Sequence, residues 1–388
     1  MVNQKRILGW DIDTCASTLS LPAHRLDRLY ALLNFLAPPR KRATIQFWHR
    51  LLGELRSMAP ALPGARGLFS LLQHALQVSR GHRIRVTRAI QDMAADFRML
   101  ADSLHERPTR LQELVHLEPT FVGASDASGH GMGGVWLSRD PTVVPIVWRQ
   151  PFTQPVRAAL ITSTTPNGTI SISDLELAAL VAHKAILADA YDIAERTIWI
   201  ATDNRAALSW SQKGSSTAAS ASAYLLRLNA LHQRAHRYVA THDHIAGTAN
   251  SMADDASRLL HLSDSALLTH FNTQYPQALP WRTLTLSSSM HSALTGALFK
   301  TRPVDGFPNN AFTPRPRPGS VGTPFAPLWV STPAPCPRTP SPSCRCSRNG
   351  CEQALSPPAP TLSALEQWKT PFARWARRTP GWGPRTLV

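Results

Sequence analysis

Between residues 119 and 262, short apolar runs alternate with helical patterns in an order that few folds can satisfy. The order is strand, strand, strand, helix, strand, helix, strand, helix, which predicts a mixed sheet of five strands flanked by helices, an α/β fold. Ser173 is the predicted N-cap of the first of these helices. The predicted strands are 121–124, 135–137, 143–148, 197–201 and 238–244.

Four acidic residues lie at the ends of these predicted elements. Asp126 follows the first strand and Asp203 follows the fourth, while Glu176 and Asp254 lie in the first turns of two helices. If the first and fourth strands are parallel neighbours, all four carboxylates converge at one edge of the sheet. Carboxylates so close together repel one another unless cations lie between them. The pattern therefore predicts a site for two Mg²⁺ or Mn²⁺ ions, which prefer oxygen ligands and can cleave a phosphodiester bond.

A histidine and a neighbouring aspartate also bear on this site. His244 precedes Asp254 by ten residues, where an imidazole could transfer a proton close to the metal ions. Asp255 is adjacent to Asp254, so the residues alone leave the fourth metal ligand open. Each acid by itself also fits a plainer role, since aspartate often forms the turn after a strand. The combination of four acids in four such places favours a metal site.

The net charge indicates the kind of partner. The 388 residues include 41 Lys and Arg against 25 Asp and Glu, which gives a net charge of +16. Phosphate neutralisation dominates the affinity of basic proteins for nucleic acid, so nucleic acid is the expected partner. No apolar run reaches the roughly 18 residues of a membrane-spanning helix. The N-terminus lacks the apolar core of a signal peptide, so an intracellular location without a membrane partner is expected.

The regions on either side of residues 119–262 differ in composition. Residues 1–118 are predicted to be mostly helical after a short strand or hairpin near the N-terminus, and residues 263–301 are expected to be a linker. Residues 302–388 hold more than half of the 32 prolines and are expected to be a disordered tail. Four cysteines in that tail are spaced unlike the paired ligands of zinc sites, which favours disorder over zinc. They are Cys336, Cys344, Cys346 and Cys351.

At the acidic motifs, the chain resembles the ribonuclease H domain of retroelement reverse transcriptases. The resemblance covers roughly residues 119–262. It includes His244-Ile245-Ala246-Gly247 and Asn250-x-x-Ala253-Asp254-x-x-Ser257-Arg258, which look like the closing motif of that family. It implies a ribonuclease H-like fold in which Asp254, rather than Asp255, is the fourth metal ligand. The implied activity is endonucleolytic cleavage of the RNA strand of an RNA–DNA hybrid.

The N-terminal zone resembles other parts of the same enzymes. Leu8-Gly9-Trp10-x-Ile12-Asp13 is similar to the primer-gripping hairpin after the polymerase palm, and the helices that follow are similar to a thumb and connection. The run from Leu52 to Met58 is similar to the tyrosine-recombinase (DIRS-like) branch of retrotransposons. No Tyr-x-Asp-Asp motif occurs, so polymerase activity is not expected. The chain thus resembles the C-terminal half of a truncated or degenerate reverse transcriptase polyprotein, for which a separate palm region is a candidate partner.

Two other functions are compatible with these residues. The chain could be a fragment that holds nucleic acid without cutting it, or a nuclease of the same superfold that cuts DNA, such as a resolvase or integrase core. The four acids favour an enzyme over the first, and the Asn-x-x-Ala-Asp ending disfavours the second. The candidate contacts to nucleic acid are Arg40, Lys41, Arg42, Arg50, Arg56, Arg66, Arg227, His232, Arg234 and Arg237.

Overall fold

The computed structural model describes residues 4–216 and 220–301. The expected disordered tail at 302–388, and the zinc alternative for its cysteines, therefore lie outside the described residues. The described residues form an N-terminal helical region followed by a mixed sheet with flanking helices. No helix within these ranges is long and apolar enough to cross a bilayer.

The N-terminal region begins with a hairpin and continues mainly as helices. Leu8 and Gly9 form the turn of the hairpin with φ angles of 51° and 79°, so the predicted hairpin is confirmed. The strands are β1 (Gln4–Ile7), β2 (Trp10–Asp13), β3 (Thr18–Ser20), β4 (Arg42–Thr44), β5 (Arg83–Arg85) and β6 (Thr109–Arg110). The helices are α1 (Ala23–Phe35), α2 (Ile45–Met58), α3 (Phe69–Gln77) and α4 (Arg88–Glu106), with short 3-10 turns at Ala59–Ala61, Ala65–Leu68 and Leu111–Glu113.

Helices of this region pack together because each carries one apolar face. Thr44 caps α2, where its side chain accepts a hydrogen bond from the Phe47 N–H at 3.2 Å. The buried face of α2, which includes Trp48 and Leu55, then packs in one core with leucines of α1 and with Phe97 of α4.

Strands β4 and β5 form a separate two-stranded antiparallel sheet, called here the β4–β5 ribbon. Side chains alternate between its two faces, as in any strand. Ala43 and Ile84 on the inner face are 3% and 2% exposed and belong to the core of the N-terminal region. The outer face presents the four exposed residues Arg42, Thr44, Arg83 and Arg85.

The second region is built on one sheet. Its strands are β7 (Phe121–Ala127), β8 (Gly131–Ser138), β9 (Ile146–Pro151), β10 (Thr197–Thr202), β11 (Val239–His244) and β12 (Arg282–Leu284), in the order β11-β10-β7-β8-β9-β12. Strands β7, β8 and β9 are antiparallel neighbours, whereas β10 pairs in parallel with both β7 and β11. The predicted α/β fold, a mixed sheet with flanking helices, is therefore confirmed. The helices are α5 (Gln154–Ala158), α6 (Ile172–Ala190), α7 (Arg205–Lys213), α8 (Ala221–His236), α9 (Ser251–Arg258), α10 (Asp264–Gln274) and α11 (Ser288–Leu298), with a 3-10 turn at Gly247–Ala249.

Two expectations about this region are wrong. The sheet has six strands rather than five, and residues 263–301 are folded rather than a linker. Strand β12 pairs in parallel with β9, and α10 buries Phe271 under the sheet. Helix α11 buries Leu294 and Leu298 in the core on the side of α6 and α8. These apolar residues are spread among Ser, Thr and Pro, a composition that by itself indicates a linker.

The cap of the helix that carries Glu176 also differs from the prediction. Ser171, and not Ser173, caps α6: its side chain accepts a hydrogen bond from the Asp174 N–H at 3.2 Å. The Asp174 side chain in turn accepts the Ser171 N–H at 3.0 Å, which completes a capping box.

Helix α8 lies between the two regions and is buried on both sides. Leu225 and Leu228 belong to the core beneath the sheet, whereas Ala223 and Ala230 belong to the core of the N-terminal region. The two regions therefore share this helix as part of both hydrophobic cores.

Ion pairs reinforce the contact between α8 and the N-terminal region. Arg227 binds Asp96 of α4 through two hydrogen bonds, of which the Nη2–Oδ1 bond is 2.7 Å long. Arg237 pairs with Glu113, which also lies 3.5 Å from Arg234. The predicted role in nucleic-acid binding is therefore wrong for the buried members of this set, which are Arg227, His232 and Arg234, at 7%, 3% and 1% exposed.

Two further basic side chains, His183 and Lys184 of α6, are buried near His232 of α8. These three residues are called here the buried basic cluster. Burial, and then a neighbouring positive charge, lowers the pKa of both histidines well below its usual value. Burial also lowers the pKa of Lys184 to about 7. Burial therefore favours the neutral forms of these three side chains in the folded state.

Candidate metal centre

Two parallel strands bring two of the predicted acids to one edge of the sheet. Strands β7 and β10 are parallel neighbours, with Ala124 opposite Ala201, and Asp126 and Asp203 lie two residues beyond this point on each. Glu176 reaches the same place from the second turn of α6. One oxygen from each of these three carboxylates lies within 4.8 Å of the other two. The structure thus brings together three of the four predicted metal ligands, called here the carboxylate cluster.

Asp254 lies beside the carboxylate cluster but is not a member of it. It lies in the first turn of α9, and its Oδ1 forms an ion pair with Arg258 Nε at 2.6 Å. Its side chain is 39% exposed, so it is in contact with solvent. It is nevertheless near enough to Asp126 for its charge to raise the pKa of that residue.

Helix α9 comes very close to the sheet at a glycine of β8. A Cβ atom on Gly133 would lie 2.5 Å from the carbonyl carbon of Ala256, so only glycine allows this approach. The contact brings Ser257 to Asp126, where its Oγ donates a hydrogen bond to Oδ2 at 2.5 Å. Ser257 therefore orients a predicted metal ligand. Within the sequence only its place in the closing motif indicates such a role.

Glu176 has the largest pKa shift in the carboxylate cluster. Burial, and after it the charges of Asp126 and Asp203, raise the pKa of its carboxyl to about 9, while a hydrogen bond from the Ala127 N–H opposes the shift. The residue is 5% exposed, and its Oε2 has no hydrogen-bond partner among the residues that the structure describes. A buried oxygen without a partner costs stability.

The pKa of the Asp126 carboxyl is raised as well. Burial raises the pKa of its carboxyl, the hydrogen bond from Ser257 lowers it, and the charges of Asp203 and Asp254 raise it again. Because like charges oppose ionisation here, a bound cation would stabilise the ionised form of the whole cluster.

His244 lies on the same edge but not within the carboxylate cluster. It is the last residue of β11, opposite Thr202 of β10 in the parallel pairing. The chain then turns toward Asp203, since a Cβ atom on Gly247 would lie 3.1 Å from Asp203 Oδ2. The role of His244 in proton transfer stays a prediction.

Asn250 has a buried side chain without a hydrogen-bond partner among the described residues. It precedes α9, is 2% exposed, and has neither a donor nor an acceptor for its side-chain amide within the described part of the chain. It belongs to the closing motif, four residues before Asp254.

The residues present fit a divalent metal ion. All three donors are carboxylates, the ligands that Mg²⁺ and Mn²⁺ prefer. The unpartnered oxygen of Glu176 supplies a free ligand position. The carboxylate cluster could therefore hold a metal ion, whereas the expected number of two ions stays a prediction.

Comparison with known proteins gave matches among solved structures, whereas no protein-family model and no curated protein matches the chain. The chain is similar to foamy viral protease-reverse transcriptase in complex with RNA/DNA hybrid, with 15% identity and a TM-score of 0.25 over 62% of this chain and 29% of that chain. The same viral protein in complex with dsDNA gives 16% identity and a TM-score of 0.27 over 63% of this chain and 45% of that chain. The chain therefore spans less than half the length of either matched chain.

Proposed function

We propose that the chain is a metal-dependent ribonuclease H that cleaves the RNA strand of RNA–DNA hybrids, as part of a retroelement reverse transcriptase. One observation carries the proposal. Glu176 is buried with an unpartnered oxygen, and it lies within 4.8 Å of Asp126 and Asp203 through one oxygen each. Such a group of carboxylates costs stability unless a cation offsets its charge. A metal-binding group of carboxylates at the ends of two parallel strands, in a protein of net positive charge, suits the hydrolysis of a polyanion.

Each residue of the carboxylate cluster has its own part in this proposal. Asp126 and Asp203 hold the metal from the sheet edge, and Glu176 holds it from α6. Divalent cations bound there would supply a water of lowered pKa and would offset negative charge on the leaving oxygen. Ser257 keeps the Asp126 carboxylate in one orientation through its 2.5 Å hydrogen bond.

Asp254 is proposed as the fourth ligand and His244 as a proton carrier. Asp254 is partly exposed and bound to Arg258, so rotation of its side chain is enough to release it from that ion pair. Arg258 is itself 65% exposed and can move with little cost. His244, at the end of β11, is on the edge where the leaving oxygen would need a proton.

The test uses the full chain, because a fragment of the sheet region ending near residue 262 would lose α11 and the N-terminal core on which α8 packs, and would expose apolar residues of α8. Labelled RNA–DNA hybrid, duplex RNA and duplex DNA are incubated with Mg²⁺, with Mn²⁺ or with a chelator. Cleavage of the RNA strand of the hybrid, dependent on Mg²⁺ or Mn²⁺, is expected. Cleavage of duplex DNA instead would favour a resolvase-like or integrase-like nuclease.

Three asparagine variants separate a metal ligand from a bystander. Asp203→Asn and Asp254→Asn are expected to abolish cleavage and to keep hybrid affinity, because most contacts to nucleic acid are made to phosphates elsewhere. Asp255→Asn is the matched control: its carboxylate binds His270 Nε2 and the Tyr275 hydroxyl at 2.8 and 2.9 Å. That variant is expected to cleave like the wild type. Near wild-type cleavage by Asp203→Asn would contradict the proposal.

One observation favours the alternative of a nucleic-acid-binding protein without catalysis. The Asp254 carboxylate pairs with Arg258 instead of joining the carboxylate cluster. Hybrid binding without cleavage in both Mg²⁺ and Mn²⁺ would establish that alternative. Polymerase activity is not part of the proposed function. Primer extension by the chain would show that the proposed function is incomplete.

A further inference from the structure

We propose that the outer face of the β4–β5 ribbon binds the sugar–phosphate backbone of the nucleic acid that the carboxylate cluster cuts. The ribbon is far along the chain from the acids of the cluster and belongs to the N-terminal region. The inference rests on the proposed function for the identity of the ligand, an RNA–DNA hybrid.

The ribbon presents three arginines on one face. Arg42 of β4 lies directly opposite Arg85 of β5, and Arg83 lies opposite Thr44. All three arginines are exposed, because Ala43 and Ile84 occupy the inner face. Arg83 and Arg85 are two residues apart on one strand, so their Cα atoms are about 6.5–7 Å apart.

The opposed arginines of the ribbon repel each other. Like charges directly opposite each other on paired strands destabilise a sheet. In the part of the chain that the structure describes, Arg42, Arg83 and Arg85 have no ion pair and no side-chain hydrogen bond. A polyanion lying across the ribbon would bind both members of the Arg42–Arg85 pair and remove the repulsion.

The surroundings of the ribbon add to its positive charge. Exposed basic side chains precede and follow both strands. One of them, Arg88, is paired with an acidic residue, Asp92. Two further backbone hydrogen bonds, Ile45 N–H to His82 O and Val86 N–H to Lys41 O, extend the ribbon at both ends. The basic residues beside the ribbon are Arg40, Lys41, Arg80, His82 and Arg88.

The chemistry of the face fits phosphates better than other anions on proteins. Guanidinium groups bind phosphate oxygens through paired hydrogen bonds, and contacts to the backbone position a nucleic acid without reading its sequence. The ribbon is also held in place, since its inner face lies in the core with α2 and α4. Helix α4 is joined to α8 of the sheet region by the buried Asp96–Arg227 ion pair. A ligand bound to the ribbon is therefore bound to a fixed part of the same folded unit.

The test compares two double variants of the full chain that each lose two positive charges. Arg42→Gln/Arg85→Gln removes the opposed pair of the ribbon, and Arg139→Gln/Arg196→Gln removes two exposed charges elsewhere. Affinity for a labelled RNA–DNA hybrid is measured in a chelator across a salt series, so that no cleavage occurs. Each lost phosphate contact lowers the slope of log K against log salt by about one unit. The ribbon variant is therefore expected to lose about two units, and the control variant less than half a unit.

Unfolding in urea is measured for both variants, because lost binding must not come from lost structure. The ribbon variant is expected to be as stable as the wild type or more stable, since it removes a repulsive pair. Equal salt slopes for the ribbon variant and the control would overturn the inference. Loss of binding to anionic lipid vesicles with unchanged hybrid binding would overturn it as well. Because binding is measured without cleavage, a wild type that binds hybrid through the ribbon but never cuts it would refute only the proposed nuclease.

Discussion

Asp96→Ala is expected to lower the free energy of unfolding by about 3–5 kcal/mol, the range found when one partner of a buried ion pair is removed. The Asp96 side chain is 0% exposed, and the Arg227 side chain that it binds is 8% exposed. Without Asp96, the guanidinium group stays buried between α4 and α8 and loses both hydrogen bonds of the pair. The loss of stability comes mainly from this uncompensated charge.

The effect is measured by urea denaturation of the full chain. With a denaturant slope of about 3 kcal/mol per molar, the expected loss moves the midpoint down by roughly 1–1.7 M. Arg88→Ala is the matched control, because Arg88 forms an exposed pair with Asp92 and is 84% exposed. Exposed pairs of this spacing contribute about 0.3–0.5 kcal/mol. The double variant Asp96→Leu/Arg227→Met is expected to regain most of the lost stability, since apolar side chains can replace a buried ion pair.

Two results would refute this reasoning. If Asp96→Ala costs no more than Arg88→Ala, then Arg227 is reached by water, and α4 is not packed against α8 as described. If the wild type unfolds in two separate transitions, then the two regions do not share a core through α8. Either result would also weaken the claim that the β4–β5 ribbon is fixed relative to the sheet.

Three further predictions concern the site and the pH dependence. Gly133→Val is expected to reduce cleavage and Mn²⁺ affinity in titrations by pushing α9 off the sheet, whereas Gly53→Ala, whose Cβ meets open space, is expected to leave both unchanged. Glu176→Gln is expected to raise the melting temperature without metal, because burial opposes ionisation of this carboxyl, and to abolish any rise caused by Mn²⁺ in the wild type. In the Glu176→Gln variant, which removes the opposing titration of a carboxyl whose pKa is raised to about 9, the unfolding free energy is expected to fall as pH drops from 10.5 to about 7 through the lowered pKa of Lys184, and again below 6.5 through the lowered pKa values of the histidines in the buried basic cluster. The unfolded chain binds more protons in these ranges, so a urea midpoint that does not change between pH 9 and pH 5 would contradict this prediction.

The fold of the sheet could be predicted from sequence where the strands are buried. Every residue of β7 and of β10 is buried, so each is a continuous apolar run broken only by small or functional residues. Strand β12 has only three half-buried residues and pairs at the edge of the sheet. Its Arg282 packs over the ring of Tyr191, 5.0 Å from the ring centre, a contact between distant parts of the chain that no local pattern can indicate.

The carboxylate cluster could be predicted because two of its residues follow buried strands. The side-chain contacts around the cluster could not be predicted. Asp126 and Asp203 follow directly from parallel strands, whose ends share an edge. The pairing of Asp254 with Arg258 depends on a side-chain rotamer, and periodicity contains no information about rotamers. The strand predicted at 135–137 begins at Gly131 in the structure, and the glycine at 133 is needed there because α9 crosses the strand at that point.

Helix α8 also bears on how much sequence change the chain can accept. None of its residues is exposed, whereas α2 exposes Gln46, His49, Arg50, Gly53 and Arg56 at helical spacing. Substitutions at such solvent-facing positions usually change stability by no more than about 0.5 kcal/mol. A scan of all single substitutions would therefore show periodic tolerance along α2 and evenly low tolerance along α8. Among diverging copies of this sequence, α8 would therefore change more slowly than α2, although it carries none of the proposed metal ligands.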